Sequence, residues 1–590
     1  MGRSASVPNV GFSRIRLSKN SSVVIGVCCF VFTTVFYSAT HLTSLGSFMT
    51  ECSPGAESTG QYQQYLLWTL QAPSEKESLQ APEVAHHEIQ MDEHKSAKPT
   101  QGPIPVPKIP SKAARIAHDA TIKLQYAMNS STISRIEGPN LFSMAKHIST
   151  FAHLLEAILT DVSIDRRPFL DLRERYFGWW KPSTTTHLPW EVKSHTTGIV
   201  LTAGQGNMVL AAHAIRTLRN VVNTTLPIQV AYAGDDDLPA NKRREMKTLD
   251  PKLELINILD HYDEDIAGLR VGGWAMKPFA ALASSFERVI IIDADTIFMQ
   301  RPDEWFEENA SLKQTGTLFF HDRAYGGRRT TDWVKTLLKE SGRRPSVTLN
   351  SSMYWQEELE HQQESGVVYF NKAIPGAFMS LLFTTYMNSQ NVRAHLYGQV
   401  AGDKETFWLA PELADIPYAF HPSYAGIIGP ISANAEGIPE ICSPQPLQTD
   451  LDGRPFWFNS GLMEDKTNAD NKKYANLTHY IPGITSEQPV GGWRFIHDHT
   501  FCMGTSVEQM RSVKDAGLKE VANGLIDEAR AVDKIFEAEC NRGRDIAARY
   551  SELLPDTNGL YFTQSEQGVH SCVDLLPAQQ RSNGRANVPV

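Results

Sequence analysis

The chain of 590 residues has little cysteine and no concentrated basic charge. None of its seven cysteines forms a C-x-x-C pair or a zinc-ligand spacing, which excludes the common cysteine-based zinc sites. Its 56 basic and 66 acidic residues give a formal charge of −10, and no Lys/Arg cluster is present that could follow a phosphate backbone. We therefore expect no nucleic-acid partner.

Acidic and basic residues are also absent from residues 20–50, where VVIGVCCFVFTTVFY at 23–37 is almost wholly apolar. About 20 mainly apolar residues suffice to cross a membrane. Only basic charges precede the run, and the first charge after it is Glu51, so the positive-inside rule keeps the N-terminus cytoplasmic. The pattern predicts a tail at 1–20, a single-pass type II signal anchor at 21–40 and a lumenal or extracellular remainder.

A cleaved signal peptide is the alternative, since Ser38-Ala39 half fits a cleavage site. Tyr37 is bulky where a small residue is wanted, and the uncharged run is long, so the sequence favours the uncleaved anchor. The secretory route agrees with acceptor sequons after the anchor at Asn129, Asn223, Asn309, Asn350 and Asn476.

The late cysteines point to the same compartment. Cys442, Cys502, Cys540 and Cys572 predict two disulfides with three connectivities open, because an oxidising lumen favours pairing. Cys52 lies beside the anchor, where it either stays free or links two stems in a homo- or hetero-oligomer.

The remainder divides by composition. Residues 41–110 are rich in Gln, Glu, Pro and Ser and end in PIPVPKIP, which predicts a disordered stem. Helical spacing of apolar residues predicts two or three helices in a segment at 111–194. We assign 195–575 to one large folded domain and 576–590 to a disordered tail.

Short apolar runs alternate with helical segments from His195 onward. The predicted strands are 198–202, 228–232, 253–259 and 288–292, and the predicted helices are 205–221, 240–249 and 275–285. Such alternation is typical of an α/β fold with a mainly parallel sheet, in which ligands bind beyond the carboxyl ends of the strands.

One Asp-x-Asp motif stands directly after the most apolar of these strands. Asp293 and Asp295 follow Val289-Ile-Ile-Ile292, so they should lie at the ligand-binding edge, where two carboxylates can bind a divalent cation together with diphosphate oxygens. The same spacing recurs at 235/237, 263/265 and 450/452, so spacing alone is weak evidence and a solvated turn is the alternative.

The motif lies in WAMKPFAALASSFERVIIIDADTIFMQRPDEWF at 274–306, which resembles the core of GT-A glycosyltransferases. More narrowly, it is similar to the fungal Golgi α-mannosyltransferase family that contains the yeast α-1,3- and α-1,2-enzymes. Further matching segments are GIVLTAG at 198–204, GTLFFHDR at 316–323, ESGVVYFNK at 364–372 and GDKE at 402–405. The resemblance covers about residues 195–505 and implies a GT-A nucleotide-sugar transferase fold.

The resemblance also implies roles for individual residues. Nucleotide-sugar binding is implied for Thr202, Ala203, Gly204, Lys277, Asp293 and Asn371; a metal site for Asp293, Asp295 and a late histidine; and a place beside the sugar and acceptor for Glu364 and Asp403, with Glu405 nearby. Gly204 would let the backbone approach the nucleotide closely. For the histidine we prefer His497 over His499, and imidazole with carboxylates suits Mn²⁺.

The implied reaction is transfer of mannose from GDP-mannose to a mannose of a glycoprotein glycan at the Golgi membrane, with retention and probable α-1,3 linkage. No residue stands out as a covalent nucleophile, so we expect metal-assisted departure of GDP and front-side attack by the acceptor hydroxyl. The alternatives are an α-1,2-mannosyltransferase, a UDP-sugar enzyme of the same fold, and a non-catalytic lumenal glycan-binding protein.

Overall fold

The computed structural model describes residues 111–130, 140–181, 188–191, 196–466, 473–484, 492–497 and 500–553. All of them belong to the compact unit Ser78–Val590. The predicted cytoplasmic tail, anchor, stem and C-terminal tail lie outside the described residues. Within the described ranges, every helix is too short or too polar to cross a membrane.

Sixteen strands are described. They are β1 (Thr197–Thr202), β2 (Ile228–Tyr232), β3 (Glu254–Asn257), β4 (Arg288–Ile292), β5 (Ile297–Phe298), β6 (Thr317–His321), β7 (Gln363–Asn371), β8 (Gly426–Gly429), β9 (Ile431–Ala433), β10 (Pro439–Ser443), β11 (Pro446–Thr449), β12 (Pro455–Phe458), β13 (His479–Ile481), β14 (Trp493–His497), β15 (Thr500–Gly504) and β16 (Arg511–Ser512).

The α-helices of the described ranges number sixteen as well. They are α1 (Lys112–Ser130), α2 (Leu141–Thr160), α3 (Arg167–Tyr176), α4 (Met208–Asn220), α5 (Ala240–Leu249), α6 (Glu264–Ala267), α7 (Met276–Ala283), α8 (Trp305–Glu308), α9 (Ala310–Thr315), α10 (Arg329–Glu340), α11 (Val347–Asn350), α12 (Met353–Gln356), α13 (Pro375–Met387), α14 (Gln390–Leu396), α15 (Thr406–Ala414) and α16 (Lys519–Leu553).

The central sheet has the strand order β3-β2-β1-β4-β7-β6. Strands β3, β2, β1 and β4 are mutually parallel, whereas β7 runs antiparallel to both of its neighbours, β4 and β6. The predicted α/β fold with a mainly parallel sheet is therefore confirmed. The predicted bounds of β2, α5 and β4 agree with the structure residue for residue.

Strand β4 lies in the middle of this sheet because both of its faces are apolar. Val289 and Ile291 pack on one side with α7, α13 and α15, and Ile290 and Ile292 pack on the other side with α4. All four side chains are at most 1% exposed. A continuous Val/Ile run is typical of a strand that is covered on both faces.

The outer helices extend the same two layers. Apolar side chains of α1 and α2 belong to one hydrophobic cluster with α7, α13 and α15, so the N-terminal helical segment shares the core of the sheet. On the other layer, α16 packs against α4, where His213 Nε2 lies 2.8 Å from Asp533 Oδ1. The sequence analysis assigned no element to α16.

Two antiparallel sheets follow the central one and were not predicted. The first has the order β16-β13-β8-β11-β12-β5 and the second the order β14-β15-β10-β9. A disulfide joins Cys442 of β10 to Cys502, its register partner on β15. It is one of the two disulfides that the cysteine count predicts.

The direction of β7 corrects the prediction for Asn371. Val367 pairs with Ile292 at the carboxyl end of β4, whereas Asn371 pairs with Arg288 at the amino end. Because β7 is antiparallel to β4, its last residue lies at the edge of the sheet opposite Asp293. Asn371 instead caps its own turn, where its Oδ1 accepts from Ala373 N at 3.0 Å. It is not a candidate for nucleotide-sugar binding.

Candidate active site at the end of strand four

The turn that follows β4 is fixed to the neighbouring strand by backbone bonds. Asp293 N donates to Gly366 O at 2.9 Å, and Thr296 Oγ1 donates to the same oxygen at 2.8 Å. A Cβ on Gly366 would lie 2.9 Å from the Trp457 ring, so only glycine lets β7 approach this closely. The two carboxylates of the Asp-x-Asp motif are thus held at the carboxyl edge of the sheet, as predicted.

Lys277 is the centre of the site. It lies in the first turn of α7, where the helix dipole disfavours a positive charge, and it is only 2% exposed. Its Nζ lies 2.8 Å from Asp293 Oδ1 and 3.1 Å from Asp403 Oδ2, and it donates to Ser365 Oγ at 2.9 Å. One ammonium therefore joins α7, the end of β4, β7 and the loop that carries Asp403.

Two carboxylates share this single ammonium. Burial opposes the charged form of Lys277, but Asp293 and Asp403 outweigh it and hold the lysine pKa above its usual range. Burial also raises the pKa of Asp293 to about 6. The neighbouring Asp295 and Asp403 raise this pKa as well, whereas Lys277 lowers it. The pKa of Asp403 is raised by burial as well. The pocket thus carries more negative than positive charge, which favours a further cation.

Asp295 lies on the other side of the turn. Its carbonyl accepts from Gly461 N at 2.7 Å, and its carboxylate forms an ion pair with the ammonium of Lys466. The Lys466 side chain is 35% exposed, so a cation from solvent can reach this carboxylate. Two aspartates with excess negative charge are oxygen ligands of the kind that Mg²⁺ and Mn²⁺ prefer, so the residues present fit a divalent ion.

The third predicted metal ligand, His497, ends β14 and pairs with Thr500. Its side chain and the whole of His499 lie outside the description, so both remain predictions. Among the described side chains, three potential ligands converge only at Glu440, Cys442 and Cys502. The sulfurs there are joined to each other, so that cluster is not a metal site.

The loop at 402–405 carries two acids with different surroundings. Asp403 contacts Lys277, as described above. Glu405 is fully buried, and its carboxylate accepts from Trp408 Nε1 at 2.5 Å and from Gln362 N at 3.3 Å. Glu405 therefore anchors the loop to α15 and to the residue before β7, and its buried carboxylate does not face a ligand, whereas the sequence analysis placed it near the sugar and acceptor.

Glu364 belongs to a second polar cluster beside this loop. Its Oε1 accepts from Asn459 Nδ2 and from Gly366 N, both at 2.9 Å, which connects it to the Asp293 turn. Burial and the nearby Asp322 raise its pKa. Lys404 contacts Asp322 at 2.6 Å. Sequence reasoning missed the roles of Asp322, Lys404 and Asn459, although the first two lie inside segments 316–323 and 402–405 that it had singled out.

The end of β1 is next to this site because β1 pairs with β4. Thr202 is the last residue of the strand, and Ala203 N donates to Ala231 O at 3.0 Å. A Cβ on Gly204 would lie 2.1 Å from Asp237 Oδ1. The glycine is therefore explained by close packing against Asp237, a reason that differs from the expected approach of a nucleotide to the backbone.

The part of the chain that forms this site is similar to known proteins. Residues 196–450 match the family described as "Mannosyltransferase putative". The chain is 27% identical over 327 residues to "Putative alpha-1,3-mannosyltransferase MNN15" of Candida albicans, covering 46% of this chain and 42% of the relative. It is 26% identical over 314 residues to alpha-1,3-mannosyltransferase MNT3 of Saccharomyces cerevisiae, covering 47% and 48%. The match therefore spans less than half of either relative.

Solved structures give weaker matches. The mannosyltransferase Ktr4p from S. cerevisiae in complex with GDP is 13% identical with a TM-score of 0.25, covering 51% of this chain and 84% of that one. Core-mannan synthase A from Aspergillus fumigatus, in its Mn/GDP form, is 11% identical with a TM-score of 0.25, covering 40% and 76%. With scores this low, the description of the fold rests on the strand order and register given above.

Proposed function

We propose that this chain, which belongs to the fungal α-mannosyltransferase family through residues 196–450, transfers mannose from GDP-mannose to a mannose of a glycoprotein glycan. The names of its relatives support an α-1,3 linkage in the product. The mainly parallel sheet, with the Asp-x-Asp motif after β4, supports a GT-A type of fold.

The observation that carries this proposal is the position of Lys277. Its ammonium reaches the first aspartate of the motif and the acidic loop at the same time. In a donor complex, the diphosphate would lie beside this point charge, which would stabilise the negative charge that develops as GDP leaves. A lysine at the edge where α/β sheets bind ligands is in a position to contact a bound diphosphate.

Asp293 and Asp295 would hold a divalent ion, for which we propose Mn²⁺, and His497 is the predicted additional ligand. A cation bound there would supply Lewis-acid stabilisation of the departing diphosphate. Asp293 would keep its ion pair with Lys277 in that state. The Lys466 ammonium would leave Asp295 when the cation binds.

Asp403 and Glu364 are the acids that we propose to orient the reacting sugars. Asp403 can accept from a sugar hydroxyl beside Lys277, and Glu364 is held by Asn459 and Gly366 close to the same turn. Neither residue is offered as a covalent nucleophile. We propose front-side attack by the acceptor hydroxyl, with retention at the anomeric carbon, because positioning and charge stabilisation are what these residues can provide.

We also propose that the protein is a single-pass type II membrane protein of the Golgi, with its catalytic domain in the lumen. The apolar run at 23–37 supports the anchor, and the Cys442–Cys502 disulfide is typical of an oxidising compartment. Protease treatment of intact Golgi vesicles should leave the catalytic domain undigested until detergent is added. Digestion without detergent would refute this orientation.

The experiment for the activity uses the full chain in detergent with Mn²⁺, GDP-mannose and α-mannobiose. GDP-glucose and UDP-sugars serve as competing donors. We expect a mannotriose product, formed only with the metal, and an α-1,3 linkage in its NMR spectrum. Asp295→Asn should lower the rate at least a hundredfold, since it removes a metal-binding charge.

Asp452→Asn is the matched control, because Asp452 ends another Asp-x-Asp motif and is exposed. This variant should keep the wild-type rate. Transfer from a UDP-sugar alone would refute GDP-mannose as the donor. An α-1,2-linked product would refute the proposed α-1,3 linkage. Absence of transfer from every donor, or equal rates in Asp295→Asn and wild type, would refute the proposed enzyme.

A further inference from the structure

Trp274 is exposed directly before a buried stretch of the chain. Its side chain is 68% exposed, while the next three residues, Ala275, Met276 and Lys277, are all at most 6% exposed. Among the large apolar side chains that the structure describes as exposed, Trp274 is the one tryptophan. Burying an aromatic ring is favourable by about 25 cal/mol per Å², so a ligand that covered this indole would gain binding free energy from it.

Trp274 lies against the loop that carries Asp403. A Cβ on Gly402 would be 3.0 Å from Cε3 of the indole, and Gly402 has a φ of +66°. Both features require glycine, so the ring can rest on the loop backbone only because Gly402 has no side chain. One part of the indole is thereby fixed next to Asp403, and the rest is left open to solvent.

The other end of this loop leads to a second aromatic surface. Lys404 contacts Asp322 at 2.6 Å, and Asp322 accepts from Arg323 Nε at 3.2 Å. The Arg323 guanidinium lies 4.3 Å from the centre of the Phe501 ring. One aromatic ring, Trp274, thus lies against Gly402 of the loop. The other, Phe501, contacts Arg323, which neighbours the partner of Lys404.

A hexopyranose can contact both the aromatic ring and the charged groups of such a surface. A sugar ring has an apolar C–H face that packs on an aromatic ring and hydroxyls around its rim that bond to carboxylates and ammonium groups. The nucleotide is expected at Thr202, Ala203 and Gly204, where the close neighbours of Gly204 are Asp237 and Asn207.

We propose that Trp274 is the stacking platform of an acceptor subsite that binds the terminal hexopyranose of an oligosaccharide beside Asp403. This inference rests on the proposed function, because it takes the group beside Asp403 to be the acceptor. Asp322 and Lys404, at the other end of the loop, are the polar groups that border the subsite.

The test compares Trp274→Ala, Trp274→Phe and Val271→Ala in the full chain. Val271 is the matched control because it is 82% exposed and lies three residues before Trp274. KM for α-mannobiose and KM for GDP-mannose are measured separately, together with the metal-dependent hydrolysis of GDP-mannose in the absence of acceptor. Binding of α-mannobiose alone is measured by saturation-transfer NMR.

We expect Trp274→Ala to raise KM for α-mannobiose about five- to tenfold, in line with the loss of one aromatic stacking contact. KM for GDP-mannose and its hydrolysis should stay unchanged, Trp274→Phe should retain most of the affinity, and Val271→Ala should behave as wild type. A rise in KM for GDP-mannose with no change for α-mannobiose would overturn the subsite. So would equal acceptor KM in all four proteins.

The two proposals fail in different ways. Absence of GDP-mannose transfer and hydrolysis in the wild type would refute the proposed function. Binding of α-mannobiose that is lost in Trp274→Ala would still support the sugar subsite in that case. Normal transfer with unchanged binding in Trp274→Ala would refute the subsite and leave the proposed function intact.

Discussion

Lys277 and Asp403 form a buried ion pair, with 3.1 Å between Nζ and Oδ2, that connects the start of α7 to the loop before α15. The same ammonium lies 2.8 Å from Asp293 Oδ1. A charge in this position is costly unless it is paired, because burial strongly disfavours an isolated ion. The ion pair therefore contributes both to the stability of this edge of the sheet and to the arrangement of the site.

The first prediction concerns the removal of that ammonium. Lys277→Met should leave two buried carboxylates without their counterion and lower the free energy of unfolding by about 3–5 kcal/mol. The transfer rate should fall at least a hundredfold, since charge stabilisation at the diphosphate is lost. Chemical unfolding and initial rates with saturating GDP-mannose measure the two effects.

The double variant Lys277→Met/Asp403→Asn separates stability from activity. It should regain part of the lost stability because one of the two unpaired charges is neutralised, but it should stay inactive. Lys313→Met is the control, because Lys313 is exposed on α9. Wild-type stability in Lys277→Met would show that the ion pair does not hold this edge together.

The second prediction concerns the disulfide between β10 and β15. It closes a segment with a sequence separation of 60 residues, and a loop of that length predicts about 4 kcal/mol of stabilisation. Cys442→Ser/Cys502→Ser should unfold at correspondingly lower denaturant, and reducing agent should destabilise the wild type more than this variant, which keeps only the second predicted disulfide. An equal effect of reductant on both proteins would contradict the prediction.

The pairing also narrows the three predicted connectivities to one. With Cys442 joined to Cys502, the second predicted disulfide can form only between Cys540 and Cys572. Mass spectrometry of unreduced peptides should find both linked pairs. A peptide that joins Cys442 to Cys540 would contradict the observed strand register.

The parts of the site that could be predicted from the sequence are those fixed by neighbouring residues. A run of four β-branched apolar residues predicts the buried strand β4, and the carboxylates directly after it must then lie at its end. Lys277 was identified by its place in a matching segment. Its two ion pairs could not be foreseen in detail, because they depend on how the loop at 402–405 packs against α7.

The parts that could not be predicted depend on contacts between distant segments. Asn371 was assigned to the wrong edge because the direction of β7 is set by pairing with β4 and β6, which leaves no local signal in the strand itself. The partnership of Asp322 with Lys404 has the same origin. Seven of the ten strands in the two antiparallel sheets have four residues or fewer, too few for a reliable alternating pattern.

The third prediction concerns two buried histidines. His321 stacks between Phe420 at 4.3 Å and Tyr424 at 4.1 Å, and burial lowers its pKa from 6.5 to about 3. Burial also lowers the pKa of His421 to about 4. Below pH 6.5 both histidines bind a proton in the unfolded chain but stay neutral in the folded chain. The free energy of unfolding must therefore fall as the pH falls toward their folded-state pKa values.

Each histidine should contribute a loss of about 1.4 kcal/mol per pH unit between pH 6 and pH 5. His321→Phe keeps the stack but cannot titrate, so its unfolding free energy should depend less steeply on pH. His153→Phe, on the exposed side of α2, is the control and should follow the wild type. Parallel pH profiles for His321→Phe and wild type would disprove the role of His321.

The last prediction concerns Lys466, whose ammonium is paired with Asp295. A divalent ion bound there would compete with this ammonium for the same carboxylate. The lysine should therefore weaken metal binding by the free energy of a partly exposed ion pair. Lys466→Met should therefore bind Mn²⁺ roughly two- to fivefold more tightly, as measured by the EPR signal of free Mn²⁺. Lys473→Met, which removes another exposed lysine of the same region, should bind it as the wild type does. Weaker Mn²⁺ binding by Lys466→Met would show that the lysine supports the metal-bound site. It would contradict the prediction that Mn²⁺ displaces the Lys466 ammonium from Asp295.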